Sequence, residues 1–400
     1  MQRGSFQWMK SLNKAIILNK IRTSEPISRA QIAKETKLTP PTVGTIVKEL
    51  LEQQLIQESS LGESQGGRKP TMLAVNTSGF HIIGIDVGLS TIQFIVADLS
   101  GKIIDEQEES LIMNVTEEEF LTIVMNGIQK LIDKQSDLKY IGIGVAMHGI
   151  VDAEKGVAEF APNLKLRNIP IKEKLEEVFE MDVKVENDAK AFALGEAWFL
   201  QQLEQKSMIA VNIGRGIGAG IVIDGKLYNG EHGIAGEIGH MIIDIHGRKC
   251  SCGNNGCLQT LASGPAIVTR TLEVLEENSD SLLYHWKKEQ ELTAELVHQA
   301  ALEEDQLARQ ILRETGNYIG IALANVVHVY NPSTIIIGGG VSKAGEFILH
   351  PIQEVLKHSV ISEKAKATAV SISRLGEYGS SLGAVALILS ELFEPEMTDH

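Results

Sequence analysis

A chain of 400 residues is longer than one hydrophobic core usually serves, and 43% apolar with 22% charged residues is ordinary soluble composition, so two or three globular units are expected. No apolar run approaches the ~20 residues of a membrane span, and the N-terminus has no apolar signal core followed by a small-residue cleavage site, so the cytoplasm is the expected compartment. The net charge of −15 argues against nucleic acid until its distribution is read: residues 1–76 hold 11 Lys and Arg against 6 Asp and Glu, a head of +5 on a body of −20.

The head reads as three helices and a hairpin. Apolar residues at Leu12, Ala15, Ile16 and Leu18 predict a short helix over 12–21. Pro26 breaks the chain, and Ser28-Arg29-Ala30-Gln31 is a capping box that starts a second helix running to about Thr36. Thr39 is a good N-cap for a third, with Pro40 at the first helical position, where its missing N–H costs nothing. That third helix puts Val43, Ile46, Val47 and Leu50 on one face and Thr42, Thr45 and Lys48 on another. A helix that packs on its own domain with one stripe and reaches into a major groove with the other needs this division. Strands over 55–58 and 71–75 follow, joined by a Gly- and Ser-rich turn carrying Gly66-Gly67-Arg68-Lys69-Pro70, a wing in which Arg68 and Lys69 suit phosphate or minor-groove contacts. The pattern predicts a winged-helix DNA-binding domain over residues 1–78, with Thr39, Thr42, Thr45, Lys48, Arg68 and Lys69 on the DNA.

Beyond Asn76 the texture alternates α and β. Strands are predicted over 80–87, 91–98, 140–147, 183–186, 208–213, 217–223 and 334–337, with a long amphipathic helix opened by Thr116-Glu117-Glu118-Glu119. Asp86-Val87-Gly88, Asn187-Asp188, Gly214-Arg215-Gly216 and Gly338-Gly339-Gly340 all stand at strand ends, which is where an α/β fold binds nucleotides or sugars. The three cysteines, Cys250, Cys252 and Cys257, are odd in number and crowded, so metal binding is favoured over a disulfide framework.

These segments carry a resemblance over nearly the whole chain. Gly84-Ile85-Asp86-Val87-Gly88, Gly149-Ile150-Val151-Asp152, Pro162-Asn163, Glu186-Asn187-Asp188-Ala189, Gly236-Glu237-Ile238-Gly239-His240, Cys250-Ser251-Cys252-Gly253-Asn254-Asn255-Gly256-Cys257 and Asn331-Pro332-Ser333-Thr334-Ile335-Ile336-Ile337-Gly338-Gly339-Gly340 together resemble the ROK family of repressors, open reading frames and sugar kinases. The winged helix and its Gly-Gly-Arg-Lys-Pro turn resemble the repressor branch, xylose repressors above all. The resemblance implies an α/β, two-lobe, actin-like sugar-kinase fold over 79–400, with lobe one at about 79–194 plus the C-terminal helix 380–400 and lobe two at about 195–379. It also implies a homodimer or homotetramer.

From the resemblance, His240, Cys250, Cys252 and Cys257 are the ligands of a structural Zn2+ with no open position, tying the cysteine loop to the segment that lines the sugar pocket. The pocket itself is implied to use Asn163, Asn187, Asp188, Glu237 and His240. Asp188 stands at the kinase general-base position and serves a repressor as a hydroxyl acceptor. Gln259 stands where the family commonly has glutamate and still bonds a hydroxyl, and His148 stands where a proline is common; both bear on which sugar is bound. At the phosphate loops, Leu89 replaces a glycine and Arg215 a threonine, which argues against ATP-driven phosphoryl transfer.

The leading expectation is therefore a repressor, not an enzyme, that binds double-stranded operator DNA and is released when a sugar closes its lobes. Xylose is the first ligand expected, with glucose, another hexose and N-acetylglucosamine as alternatives. Two other readings stay open at this level: an active sugar kinase with a DNA-binding head, and a co-regulator whose body binds another protein.

Overall fold

Capping residues and a buried aliphatic stripe build the head much as its sequence predicts. The computed structural model describes residues 2–61, 70–111, 115–162, 164–199 and 207–393. Helix α1 (Gln2–Ser24), strand β1 (Ile27–Ser28), α2 (Arg29–Thr36), α3 (Pro40–Glu52), β2 (Ile56–Leu61) and β3 (Thr71–Val75) follow in order, and the strands form a sheet ordered β1-β3-β2. This is the element order of a winged helix-turn-helix. The Ser28 hydroxyl accepts the Gln31 N–H at 3.2 Å and that of Thr39 accepts the Thr42 N–H at 3.4 Å, each satisfying an otherwise orphaned donor at a helix start. Val43, Ile46, Val47 and Leu50 are buried, as are Ile17, Leu18 and Ile21 of α1 and Ile32 of α2. Each such side chain contributes about 1.5–3 kcal/mol on leaving water. Helix α1 extends well beyond the predicted 12–21, because apolar spacing marks only the part of a helix with a face to bury.

Chain contacts divide the molecule into two units, Met1–Glu186 with Ala384–His400, and Asn187–Gly383. The head is grouped with the first unit.

In the first unit the chain leaves the head through Asn76, whose N–H donates to the Leu55 carbonyl at 3.0 Å and whose side-chain amide donates to the Gln54 carbonyl at 2.9 Å. Next come β4 (His81–Val87), β5 (Thr91–Asp98), β6 (Ile103–Ser110), α4 (Glu117–Lys134), β7 (Tyr140–Met147), β8 (Ile150–Asp152), β9 (Val157–Ala161), β10 (Leu166–Ile169), α5 (Ile171–Phe179) and β11 (Asp182–Asn187). The main sheet is ordered β11-β7-β4-β5-β6, with β4, β5 and β6 an antiparallel meander and β7 parallel to β4. Thr116 and Glu119 cap α4 reciprocally, as the capping box requires. Its buried face, Phe120, Leu121, Val124, Ile128 and Leu131, joins one core with Ile83, Ile85, Phe94 and Val145 of the sheet.

In the second unit, α6 (Asp188–Phe199), β12 (Ser207–Ile213), β13 (Ile217–Ile223) and β14 (Lys226–Leu227) precede an irregular stretch. Then follow α7 (Gln259–Ala262), α8 (Gly264–Leu275), α9 (Leu282–Trp286), α10 (Ala294–Leu302), α11 (Gln306–Tyr330), β15 (Thr334–Gly338), α12 (Glu346–Ser359), β16 (Ala369–Ile372) and α13 (Gly379–Phe393). This sheet is ordered β14-β13-β12-β15-β16, with β12 and β13 antiparallel and both β15 and β16 running parallel to β12. Both units thus repeat one plan, a meander of three strands with two more added beside the first. That repeated sheet is the mark of the actin-like, sugar-kinase-like α/β fold.

Candidate functional site

The cysteine loop folds back on a single 3-10 turn at Ile238–His240. The backbone bridges Ile242 with Cys257 and Lys249 with Asn255 close the loop, and the Leu258 N–H donates to the Met241 carbonyl at 2.8 Å. His240, Cys250, Cys252 and Cys257 thereby bring their ligand atoms within 4.8 Å of one another. The Cys252 and Cys257 sulfurs lie 3.7 Å apart, and Cys250 Sγ lies 3.7 Å from His240 Nδ1. Sulfurs bound at ~2.3 Å to one tetrahedral ion stand roughly 3.8 Å apart, so donor set and spacing fit a four-coordinate metal.

The thiol chemistry points the same way. Burial pushes the Cys250 thiol up, but hydrogen bonds from the Cys252 backbone and thiol, the Gln259 amide and the Cys257 thiol outweigh it and bring it down to about 6. Burial, with the neighbouring Cys252 and Cys250, pushes Cys257 up to about 12. Three thiols so close do not ionise together unless a cation compensates them.

The segments that carry the candidate sugar residues of the second unit pack against the start of β13. Helix α6 begins at Asp188, and the Asn187 side-chain carbonyl accepts the Ala189 and Lys190 N–H groups at 3.0 and 3.2 Å. Asp188 Oδ1 accepts the Ala189 N–H at 2.9 Å. The same turn presses on β13: a Cβ on Gly218 would stand 2.9 Å from the Ala189 Cβ. Against the same strand lie Gly236 and Gly239, where a Cβ would come within 1.9 Å of the Ala219 carbonyl and 2.0 Å of the Ile217 carbonyl. Gly236 also has φ +94°, a left-handed conformation that glycine adopts freely, and Glu237 beside it is exposed. Gln259 starts α7 beside the same corner, with Oε1 3.7 Å from a Cβ position on Gly216. Its amide nitrogen donates to Cys250 Sγ at 3.2 Å, so this side chain joins the cysteine cluster to the corner. Asn163, the remaining pocket candidate, lies outside the described residues.

The sequence reading overlooked Lys190. It is 4% exposed, and its Nζ donates to the Gly233 carbonyl at 2.6 Å, tying α6 to the loop that carries Glu237. The available signal was a lysine inside the otherwise apolar run of α6.

The loops that differ from phosphate-binding sequences are equivalent turns of the two repeated sheets. Gly88 closes the β4–β5 turn, its N–H donating to the Thr91 carbonyl at 3.0 Å, with Leu89 and Ser90 at the tip. Gly214 closes the β12–β13 turn onto the Gly216 carbonyl at 2.9 Å, with Arg215 exposed between them.

On the head, Thr45 and Lys48 are exposed and Thr42 is half-buried, all on α3 away from its aliphatic stripe, and the N-cap Thr39 is exposed. The Thr39 and Thr42 hydroxyls are 2.8 Å apart, Thr45 donates to the Pro41 carbonyl at 3.0 Å, and Lys48 pairs with Glu52 at 3.8 Å. Arg68 and Lys69 lie outside the described residues.

Comparison with known proteins agrees with this architecture. The xylose repressor of Caldicellulosiruptor bescii is 33% identical over 97% of this chain and 98% of its own length. The crystal structure of a ROK family transcriptional regulator, a homologue of the Escherichia coli MLC protein, superposes with a TM-score of 0.86 at 28% identity, over 97% of both chains. The ROK glucokinase of Streptomyces griseus, solved with glucose and AMPPNP, gives a TM-score of 0.69 at 30% identity and covers 98% of its own chain but 77% of this one. The pattern of the ROK family runs through residues 82–391, spanning both repeated sheets, the Asp188 helix and the cysteine loop, and the chain belongs to that family.

Proposed function

We propose that this chain is a sugar-responsive transcriptional repressor of carbohydrate-utilisation genes, xylose genes first among them. The observation that carries the reading is the extent of likeness: full-length repressors match head and body together, whereas the glucokinase matches 77% of the chain. In this reading α3 lies in the major groove of operator DNA, with Thr39, Thr42, Thr45 and Lys48 toward the bases and Arg68 and Lys69 on the backbone or in the minor groove. A homodimer or homotetramer sets the spacing of the heads, and the protein works in the cytoplasm.

The sugar is held by Asn163, Asn187, Asp188, Glu237, His240 and Gln259. Carboxylate and amide groups satisfy hydroxyls that act both as donors and as acceptors. Asp188 accepts a hydroxyl hydrogen bond without a phosphoryl donor to follow. Zinc, when bound by His240, Cys250, Cys252 and Cys257, supplies a cross-link and no reactive position. His240 has Nδ1 on the metal side, which leaves Nε2 for a hydroxyl. Sugar releases the operator to the extent that it binds the DNA-incompetent arrangement more tightly.

Thermal shift across D-xylose, D-glucose and N-acetyl-D-glucosamine, followed by operator binding with and without the sugar that stabilises the chain, tests the reading. Operator affinity that ignores every sugar refutes it. The retained Asp188 and the likeness to a glucokinase make sugar phosphorylation the second reading. Sugar-dependent ATP consumption that vanishes in Asp188→Asn would establish it.

A further inference from the structure

Helix α13 starts in one unit, at Gly379, and ends in the other, at Phe393. Its first turn packs on α6 with backbone against backbone. A Cβ on Gly195 would stand 2.9 Å from Gly383, and one on Gly383 would stand 2.0 Å from the Ala191 carbonyl. The Phe192 ring covers Gly379, 2.7 Å from a Cβ position there. Two turns into α6, the fully buried Glu196 accepts the hydroxyl of Ser373, in the stretch that leads into α13. The nearest atoms at the Gly195–Gly383 crossing are all backbone, which yields little to a shift of α6, and packed interiors transmit strain of this kind. The N-terminal residue of α6 is Asp188.

In the first unit the same helix presses on β7, where a Cβ on Gly144 would stand 1.8 Å from the Ala384 carbonyl and one on Gly142 would stand 3.0 Å from Ile388. Its last turn reaches the head. Ile388, Glu391 and Leu392 line a cavity of about 490 Å3 together with Gln53 and Leu55, the residues that follow α3. The guanidinium of Arg22, on α1, lies over the Phe393 ring at 5.5 Å and is held there by the Asn19 side chain at 2.8 and 3.1 Å. Beside it, Lys139 Nζ donates to Gln54 Oε1 at 2.7 Å. The recognition helix therefore ends on a space bounded by α13, with one aromatic anchor joining that helix to the head.

We propose that α13 is the element through which sugar occupancy reaches the DNA-binding head. Gly195 and Gly383 couple it to the helix that carries Asp188, and Phe393 with Arg22 couples it to α1. The open space beside Gln53 and Leu55 is room into which the head tilts, while the close crossings elsewhere hold α13 to its neighbours. The proposal rests on the repressor reading and names positioning residues, none of which touches sugar or DNA.

The test uses the full chain with an operator fragment selected in vitro from random duplex DNA on the sugar-free protein. Anisotropy gives the operator Kd with and without saturating D-xylose, D-glucose or N-acetyl-D-glucosamine, and calorimetry gives the sugar Kd in the absence of DNA. For the wild type the ratio of operator Kd values with and without sugar is expected to exceed tenfold. Phe393→Ala and Arg22→Ala are expected to keep the sugar Kd within twofold and to cut that ratio at least fivefold, while Phe393→Tyr and Arg22→Lys keep it. Because Phe393 is buried, the half-buried Arg22 carries the same test should Phe393→Ala not fold. A sugar-responsive wild type with equally responsive variants overturns the role of α13 alone. A wild type unmoved by all three sugars overturns the repressor reading and the relay together.

Discussion

Replacing Cys257 by serine removes one of four converging donors and tests whether the cluster holds a structural ion. An ion joining His240 to Cys257 closes a loop of 17 residues, counted from their positions. A cross-link over a loop of that length is worth about 3 kcal/mol of lost freedom in the unfolded chain. Within the loop, residues 251–255 are exposed and contribute little apolar burial, so the cross-link is a large share of what holds it. For a unit the size of Asn187–Gly383, ~3 kcal/mol lowers the melting temperature by roughly 6–12 °C. Metal analysis of the protein purified without chelator should give one zinc per chain in the wild type and far less in Cys257→Ser. Calorimetry should give the lower melting temperature for the variant, and a strong chelator should bring the wild type down to it while leaving the variant unmoved. A wild type without stoichiometric metal, or a variant that melts with it, would refute the reasoning.

Asp188→Asn replaces a charged hydroxyl acceptor by a neutral one and should weaken sugar binding by about 1.5–3 kcal/mol, roughly ten- to a hundredfold by calorimetry, with the melting temperature nearly unchanged. Lys48→Ala should relax base preference at one operator position by ~1–3 kcal/mol, whereas Arg68→Ala should weaken all sequences alike and lower the salt dependence of log K by about one unit. Glu196 is buried, and burial pushes its carboxyl up against the opposing pull of the Ser373 hydroxyl, the Leu375 N–H and the Arg374 charge. The folded state therefore binds the proton more tightly than the unfolded state. Stability contributed by the neutral form is complete below the ordinary carboxylate value of 4.5 and is lost as pH rises through the higher folded value. Glu196→Gln should flatten that loss above pH 4.5 in denaturant titrations; an unchanged pH profile counts against it.

Some of this was legible because the signal is local. Thr39 before Pro40, the Thr116–Glu119 box and the aliphatic spacing of α3 each specify a helix start or face through neighbours a few residues away, and the structure has them as read. The cysteines were legible for a related reason, since three thiols within eight residues can meet with little chain to arrange. Strand β6 was missed because it is an edge strand of mostly acidic and polar residues, half-buried on one face, with only Ile103 and Ile104 apolar.

From sequence alone came the basic head, its capped third helix, the closely spaced cysteines and Asp188 at the start of a helix. These follow from residue chemistry and short-range spacing. The packing of α6 on Gly218, the seating of Gly236 and Gly239 against β13, the bond from Gln259 to Cys250, the buried Lys190 and Glu196, and the contacts of α13 with α6 and β7 were decided only by tertiary structure. Each joins residues far apart in the chain, and close contact of that kind depends on how whole helices and sheets pack, which no local pattern of residues encodes.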